Sequence, residues 1–394
     1  MPLHPLLRSL VCLLALLGLG ACTPPAELDQ QLYIWQRQWL PAHAGALAQS
    51  HADFATLRVL ALQAHPQAGW ARAHVDLQLL KRDGRPLIAV VRLDGQLPQL
   101  DQPAIVSQIT RLLRDWQAAG VRLAGIEIDH DCASARLPAY AELLGELRRS
   151  LPADLPLSIT ALPAWLASPE LDKLLARVDS SVLQVHAVND PRRGLFDPAQ
   201  ALDWAERYAE RSRQPFHLAL PAYGVALTAD GQVESEVPLR QGGPRRELQA
   251  EPQQVAELLR TLRDNPPAHL AGVIWFRLPL PGDRRAWPME TLLAVVRDQP
   301  LQAALGVARR QNGAVSELQL FNHGTLASTL PSRIELPAQD CEAADGLGAY
   351  RVESSPTGLR FTRQQPGQLA AGGQRALGWA RCARIDQGGL HVEL

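Results

Sequence analysis

Glu127, Asp129 and Asp131 alternate along the stretch from Leu123 to Asp131, and Leu123 and Gly125 share their parity. In a strand, alternate residues face the same side. Three carboxylates would then line one face at the C-terminal end of a single strand. Like charges this close do not all ionise cheaply, so one keeps its proton near neutral pH and can donate it. The chemistry implied is general acid catalysis at the mouth of a barrel, where enzyme sites are usually built. A turn after Ile128, with Asp129 and Asp131 solvated or capping the next helix, is the competing reading.

The elements that must position these acids alternate along the chain. Strand-like runs fall at 32–35, 57–62, 87–93, 123–129, 157–162, 181–188, 216–220 and 271–276. The run at 87–93 is almost continuously apolar, as in a sheet buried on both faces. Helical segments are expected at 41–55, 105–119, 137–149, 168–178, 198–211, 255–262 and 289–297. Ile105, Ile109, Leu112, Leu113 and Trp116 form one apolar stripe, and Gly120 ends it. Residues 66–85 read as a variable region with a hairpin-like turn at Asp83-Gly84, and 224–250 as a polar connection. Eight strands alternating with helices suit an α/β fold, a (β/α)8 barrel. No Gly-rich phosphate turn follows the first strand, which argues against an open doubly wound sheet. Beyond about residue 300, alternating runs at 317–322, 333–336 and 358–362 read as a small antiparallel β domain, in the manner of a sandwich. The expected divisions are 1–21 signal peptide, 22–30 tether, 31–300 barrel and 301–394 C-terminal β domain.

A chain of 394 residues exceeds the usual single-domain size, in line with two domains. A formal net charge of −1 and the lack of a basic run with interleaved aromatics exclude a nucleic-acid partner from the expectations. Arg8 and the short apolar run 10–19 form a targeting segment too short to span a bilayer. It ends in Leu19-Gly20-Ala21-Cys22, which resembles a bacterial lipobox. That resemblance implies cleavage before Cys22, lipidation of Cys22 and attachment to a membrane through the lipid. Thr23 after the Cys points to the outer membrane, facing the periplasm; the competing reading is an ordinary secretory signal with an incidental Cys. Export permits disulfides. Cys341 and Cys382, both in the C-terminal segment, are the natural pair, leaving Cys132 free. No spacing suggests zinc, and neither a metal nor a cofactor is expected.

Residues 125–131 resemble the fourth-strand motif D-G-x-D-x-D-x-E of glycoside hydrolase family 18 chitinases. Residues 218–224, with Pro221, Tyr223 and Gly224, resemble their seventh-strand G-L-P-x-Y-G. Residues 272–276 resemble an eighth strand carrying an aromatic floor residue. More closely, Trp35 to about Pro300 resembles a bacterial family of exported proteins, domain of unknown function 3142, through 126–132, 157–166 and 183–187.

The family 18 resemblance implies Asp131 as general acid and Asp129 as the carboxylate that orients the substrate's own N-acetyl group for attack on the anomeric carbon. Glu127, deeper in the strand, would share a proton with Asp129. The chain departs from the pattern in several places. Asp131 stands where the family has Glu, and is shorter by one methylene, about 1.5 Å. Ala124 and Glu127 stand where it has Asp. Gln184 and His186 take the inward positions of the sixth strand where it has Met and Tyr, so His186 would bond the substrate in the tyrosine's place or else be a satisfied core histidine. Trp275 is one residue off the family's register and Phe276 falls in it; a one-residue shift flips the face, so only one of them can floor a sugar site. Tyr223 lies at the rim, and Trp35 reads as a sugar platform or as core.

The leading expectation is therefore an exported lipoprotein acting on a glycan, such as an N-acetylhexosamine-containing one, by acid catalysis at strand four. The alternatives are a carbohydrate-binding lipoprotein without catalysis, or an envelope-assembly factor on the same barrel. A metal-dependent hydrolase using Glu127, Asp129, Asp131 and His186 is a further one.

Overall fold

The computed structural model describes residues 27–186, 194–228, 233–234 and 245–394. The targeting segment with Cys22, and the end of the run expected at 181–188, lie outside the described residues. Eight parallel strands form the barrel: β1 Asp29–Ile34, β2 Thr56–His65, β3 Leu87–Leu93, β4 Gly125–Asp129, β5 Leu157–Ala161, β6 Ser180–Gln184, β7 Phe216–Pro221 and β8 Leu270–Phe276. Each pairs with its neighbour, and β1 pairs with both β2 and β8, Leu32 lying opposite Leu57 and Trp275. That double pairing closes the cylinder and removes both sheet edges. The first strand begins at Asp29, inside the stretch expected as tether.

The connecting helices are α1 Ala42–Ser50, α2 Leu77–Asp83, α3 Gln102–Ala118, α4 Leu137–Ser150, α5 Leu171–Leu175, α6 Pro198–Ala209, α7 Pro252–Asp264 and α8 Met289–Val296. Their start signals are local. Asp101 accepts from Ala104 N at 3.1 Å to cap α3, and Asp197 caps α6 in the same way. Ile105, Ile109, Leu112 and Trp116 of α3 are buried against the sheet, as the stripe requires.

Two expectations are corrected. Residues 66–85 hold no hairpin at Asp83-Gly84. Instead, Gly69–Arg72 folds back antiparallel on β2, and α2 follows, capped by Asp76 and ended by Gly84 in the left-handed conformation (φ 78°). An Asp-Gly pair serves a helix end as readily as a hairpin. The 224–250 connection carries strands Gly224–Thr228 and Arg245–Gln249, paired antiparallel beside the barrel mouth.

Inside the barrel, Leu60, Val90, Val182, Ala219 and Ile274 pack with Tyr33 and Trp35. A buried polar chain runs beside them. The Tyr33 hydroxyl donates to Glu127 Oε1 at 2.7 Å, and Arg58 forms an ion pair with the other oxygen of Glu127. Arg58 Nε donates to Gln31 Oε1 at 2.8 Å, and Gln31 Nε2 lies 3.1 Å from His217 Nε2.

The C-terminal domain is antiparallel, with its own apolar core. Its main strands are β9 Leu305–Asn312, β10 Val315–Asn322, β11 Arg333–Gly346, β12 Tyr350–Ser355, β13 Gly358–Arg363 and β14 Gln374–Ile385. The long β11 pairs with β13 along its first half and with β14 along its second, so one strand serves two parts of the sheet. Cys341 and Cys382, opposite each other on β11 and β14, are disulfide-bonded, and Cys132 is free and buried. The domain docks on α8, where Thr291 Oγ1 donates to Thr325 O at 2.7 Å.

Candidate active site

Asp129 is the last residue of β4, and Asp131 lies two beyond it. The segment between is pinned from several sides. The Tyr140 hydroxyl donates to Ile128 O at 3.0 Å, His130 Nδ1 lies 2.8 Å from Leu93 O, and Trp165 Nε1 donates to Cys132 O at 2.8 Å. Gly95 packs directly against the Asp131 carbonyl. Helix α4, loop β3–α3 and loop β5–α5 thus fix where the two carboxyls point, the support a reactive pair needs.

The two carboxyls face a cleft of roughly 340 Å³ at the C-terminal end of the barrel. Thr160 Oγ1, from β5, donates to Asp129 Oδ1 at 2.7 Å. Gln184, at the end of β6, brings its Nε2 within 3.2 Å of Asp129 Oδ1 and 3.1 Å of Asp131 Oδ1. Arg92, near the end of β3, lies 3.4 Å from Asp129 Oδ2 and 3.8 Å from Asp131 Oδ2. Burial first, and the charge of Asp129 second, push the Asp131 carboxyl up to about 7, against the opposing pull of Arg92 and Gln184. The Asp131 side chain remains one-third exposed, so a proton held there is accessible to a bound molecule.

The far wall is aromatic. His186 stacks on Phe276 with ring centroids 5.1 Å apart, and Tyr223 and Trp35 meet Phe276 edge-on at 5.3 and 5.2 Å. The Tyr223 hydroxyl donates to His186 O at 3.2 Å and lies 3.3 Å from His186 Nδ1. Burial, helped by the charge of Arg92, lowers the His186 imidazole to about 4, so the ring is neutral at physiological pH.

The cleft brings together Asp129, Asp131, Gln184, His186, Tyr223 and Trp35 among the residues expected from sequence. Trp35 shows little of its ring, being 6% exposed. Two expectations fall elsewhere. Trp275 points outward into the helix layer, packs on Trp287 and donates from Nε1 to Gln30 Oε1 at 2.8 Å, while Phe276 takes the cleft position. Glu127 is closed off beneath the cleft, its oxygens held by Tyr33 and Arg58, and shares no hydrogen bond with Asp129. Burial pushes its carboxyl up, and Arg58 and Tyr33 pull against that. Arg92, Thr160 and Tyr33 were not foreseen. The signal for Arg92 and Arg58 was a lone cation inside an otherwise apolar strand, which a closed barrel has to match with an acid. Among the described residues, no group of three or more His, Cys, Asp or Glu side chains is placed to hold a metal ion.

The chain is thus a closed (β/α)8 barrel that carries two carboxyls at the end of its fourth strand. The family model described as Domain of unknown function (DUF3142) matches residues 83–281, just over half of the 394 residues, and the chain belongs to that family. A second model, Domain of unknown function (DUF8456), matches residues 305–383, within the C-terminal domain. No curated protein matches the chain. Among solved structures, a chitinase from Bacteroides thetaiotaomicron is similar with a TM-score of 0.50 at 10% identity, covering 64% of this chain and 90% of that one. A chitinase from Chromobacterium violaceum ATCC 12472 gives 0.48 at 15% identity, with 65% and 96% covered. The spore cortex-lytic enzyme SleL of Bacillus cereus gives 0.49 at 11%, with 65% and 72% covered. At 10% identity the likeness to the Bacteroides chitinase shows a shared fold and no more.

Proposed function

We propose that this protein is an exported lipoprotein, anchored through Cys22 and facing the periplasm, that cleaves a glycan containing N-acetylhexosamine by general acid catalysis. The observation that carries the reading is Asp131, partly exposed in the cleft and pushed up to about 7, beside a second carboxyl that accepts from Thr160 and Gln184 on one oxygen and faces Arg92 with the other. An acid with a pKa near the working pH is both protonated often enough and acidic enough to donate. In this reading, Asp131 protonates the glycosidic oxygen as the bond to the leaving sugar breaks. Asp129 orients the N-acetyl group that attacks the anomeric carbon. Phe276, Tyr223 and neutral His186 form the wall against which the sugar lies. That similar structures include chitinases is in keeping with such a substrate.

The test incubates the soluble chain from Thr23 with cell-wall and N-acetylhexosamine glycans, beside Asp131→Asn and Asp129→Asn variants. Product formation that disappears in both variants supports the reading. Binding without products from any form would replace it with a carbohydrate-binding lipoprotein, which the placement of Arg92 beside both carboxyls also fits. No affinity for any glycan, together with stoichiometric co-purification of another protein, would favour an envelope-assembly role.

A further inference from the structure

Arg92 differs from Arg58, the buried cation inside the barrel. Arg58 spends its donors on Gln31, Glu127 and Ser158. Arg92 makes no hydrogen bond to any described residue. Its two ion pairs, at 3.4 and 3.8 Å, are longer than the roughly 2.7–2.9 Å of a charge-assisted hydrogen bond. The guanidinium lies 5.6 Å from the centroid of the Trp35 ring, a cation–π distance that holds it in place without using its N–H groups. Its side chain is 36% exposed and lines the cleft between the acids and the aromatic wall. A planar fork of donors, held in place and engaged only by these two long ion pairs, matches a carboxylate.

The charge around it points the same way. Of the cations that line the cleft, Arg277 is paired with Asp283 at 2.8 Å, whereas Arg92 has the two long contacts to Asp129 and Asp131. A cation beside Asp131 works against the proton that Asp131 has to hold. That cost is offset when the cation has an anion of its own to bind.

Resting on the glycan reading above, we infer that Arg92 is a specificity-determining residue that takes a carboxylate carried by the sugar in the cleft, so that the substrate is an acidic glycan. The carboxylate belongs to a hexuronate ring or to a lactyl ether on an N-acetylhexosamine. Its arrival draws Arg92's charge away from Asp131 and helps Asp131 keep its proton until the glycosidic oxygen is in place.

The experiment measures Kd by calorimetry for the mature chain, using Asp131→Asn protein to prevent turnover. The ligands are an oligosaccharide alternating N-acetylhexosamine with hexuronate, peptidoglycan strands bearing lactyl ethers, each of these with its carboxyls reduced to alcohols, and a neutral N-acetylglucosamine oligomer. Expected is binding of one acidic ligand about tenfold or more tighter than its reduced form, with the ratio falling to near one on Arg92→Gln and partly restored by Arg92→Lys. Which acidic ligand shows it distinguishes the two sources. Thermal melts check that both variants are folded, and Arg92→Lys serves if Arg92→Gln is not. Equal binding of acidic and reduced forms, or an acid preference that survives Arg92→Gln, overturns the inference and leaves the glycan reading standing. Failure of every glycan to bind overturns both.

Discussion

Gly95 and the backbone carbonyl of Asp131 are in direct contact, so that a Cβ built on Gly95 would overlap the Asp131 oxygen. The position of Asp131 is therefore set partly by the absence of a side chain on the neighbouring loop. Gly95→Ala is expected to push the 130–132 segment outward, at a cost of about 1–3 kcal/mol in stability. Turnover should fall on the order of a hundredfold, because a displacement near 1 Å is enough. Chemical denaturation and rate measurements on that variant check this. Gly45→Ala in α1, where nothing lies within 4 Å, is the control and should be neutral or slightly stabilising.

Asp131 should titrate near pH 7, visible as a carboxyl carbon shift by NMR. The folded chain holds this proton more tightly than the unfolded chain does. The stability it contributes is thus complete below the unfolded value of about 4 and is lost as pH rises through about 7. Asp131→Asn should flatten that part of the stability profile. The rate should also fall above pH 7 as the acid loses its proton. A carboxyl at position 131 that titrates near 4 would sink the acid role.

Arg58 and Glu127 are both closed to solvent inside the barrel. Removing either partner alone strands a buried charge, and Arg58→Met or Glu127→Ala is expected to cost about 3–5 kcal/mol. The double variant should recover part of that. Urea unfolding of the three variants gives the coupling energy. A Glu127→Gln protein that stays as stable as wild type yet loses all turnover would return Glu127 to the chemistry.

The Cys341–Cys382 bond closes a loop with a sequence separation of 41. The chain-entropy model gives it about 4 kcal/mol. Cys382→Ser should lower the unfolding transition of the C-terminal domain and leave the barrel's transition in place. Differential scanning calorimetry separates the two.

Much of this architecture was legible because barrel strands and helices differ in hydrophobic period. The near-continuous run of β3 and the stripe of α3 needed no tertiary information. Helix α2 was missed because it has only seven residues, too few for a stripe to show, and ends in an Asp-Gly pair that also signals a hairpin. At the site, Asp129, Asp131 and Gln184 could be placed by strand parity. Phe276 could not be separated from Trp275 by alternation alone, since β8 is apolar on both of its faces and offers no polar residue to mark either one. Glu127 looked like part of the reactive cluster because its partner, Arg58, lies 69 residues away. Parity shows which face a side chain takes, and not how deep in the barrel its charge is answered.

The start of β1 at Asp29 carries a geometric consequence for the proposed anchor. From Cys22 to Asp29 a fully extended chain reaches about 25 Å. β1 enters the barrel at the end opposite the cleft, so a lipid on Cys22 would hold that end close to the bilayer. The mouth, with its acids and aromatic wall, would then look outward from the membrane, some 30 Å or so beyond it, given strands about 3.3 Å per residue long and the loops around them. A spin label at Arg122, on the loop leading into β4, would be broadened by lipid-borne probes, and one at Asp94, on the mouth, would not. Tethered this way, the protein could work on polymer that lies beyond its own membrane surface without leaving it.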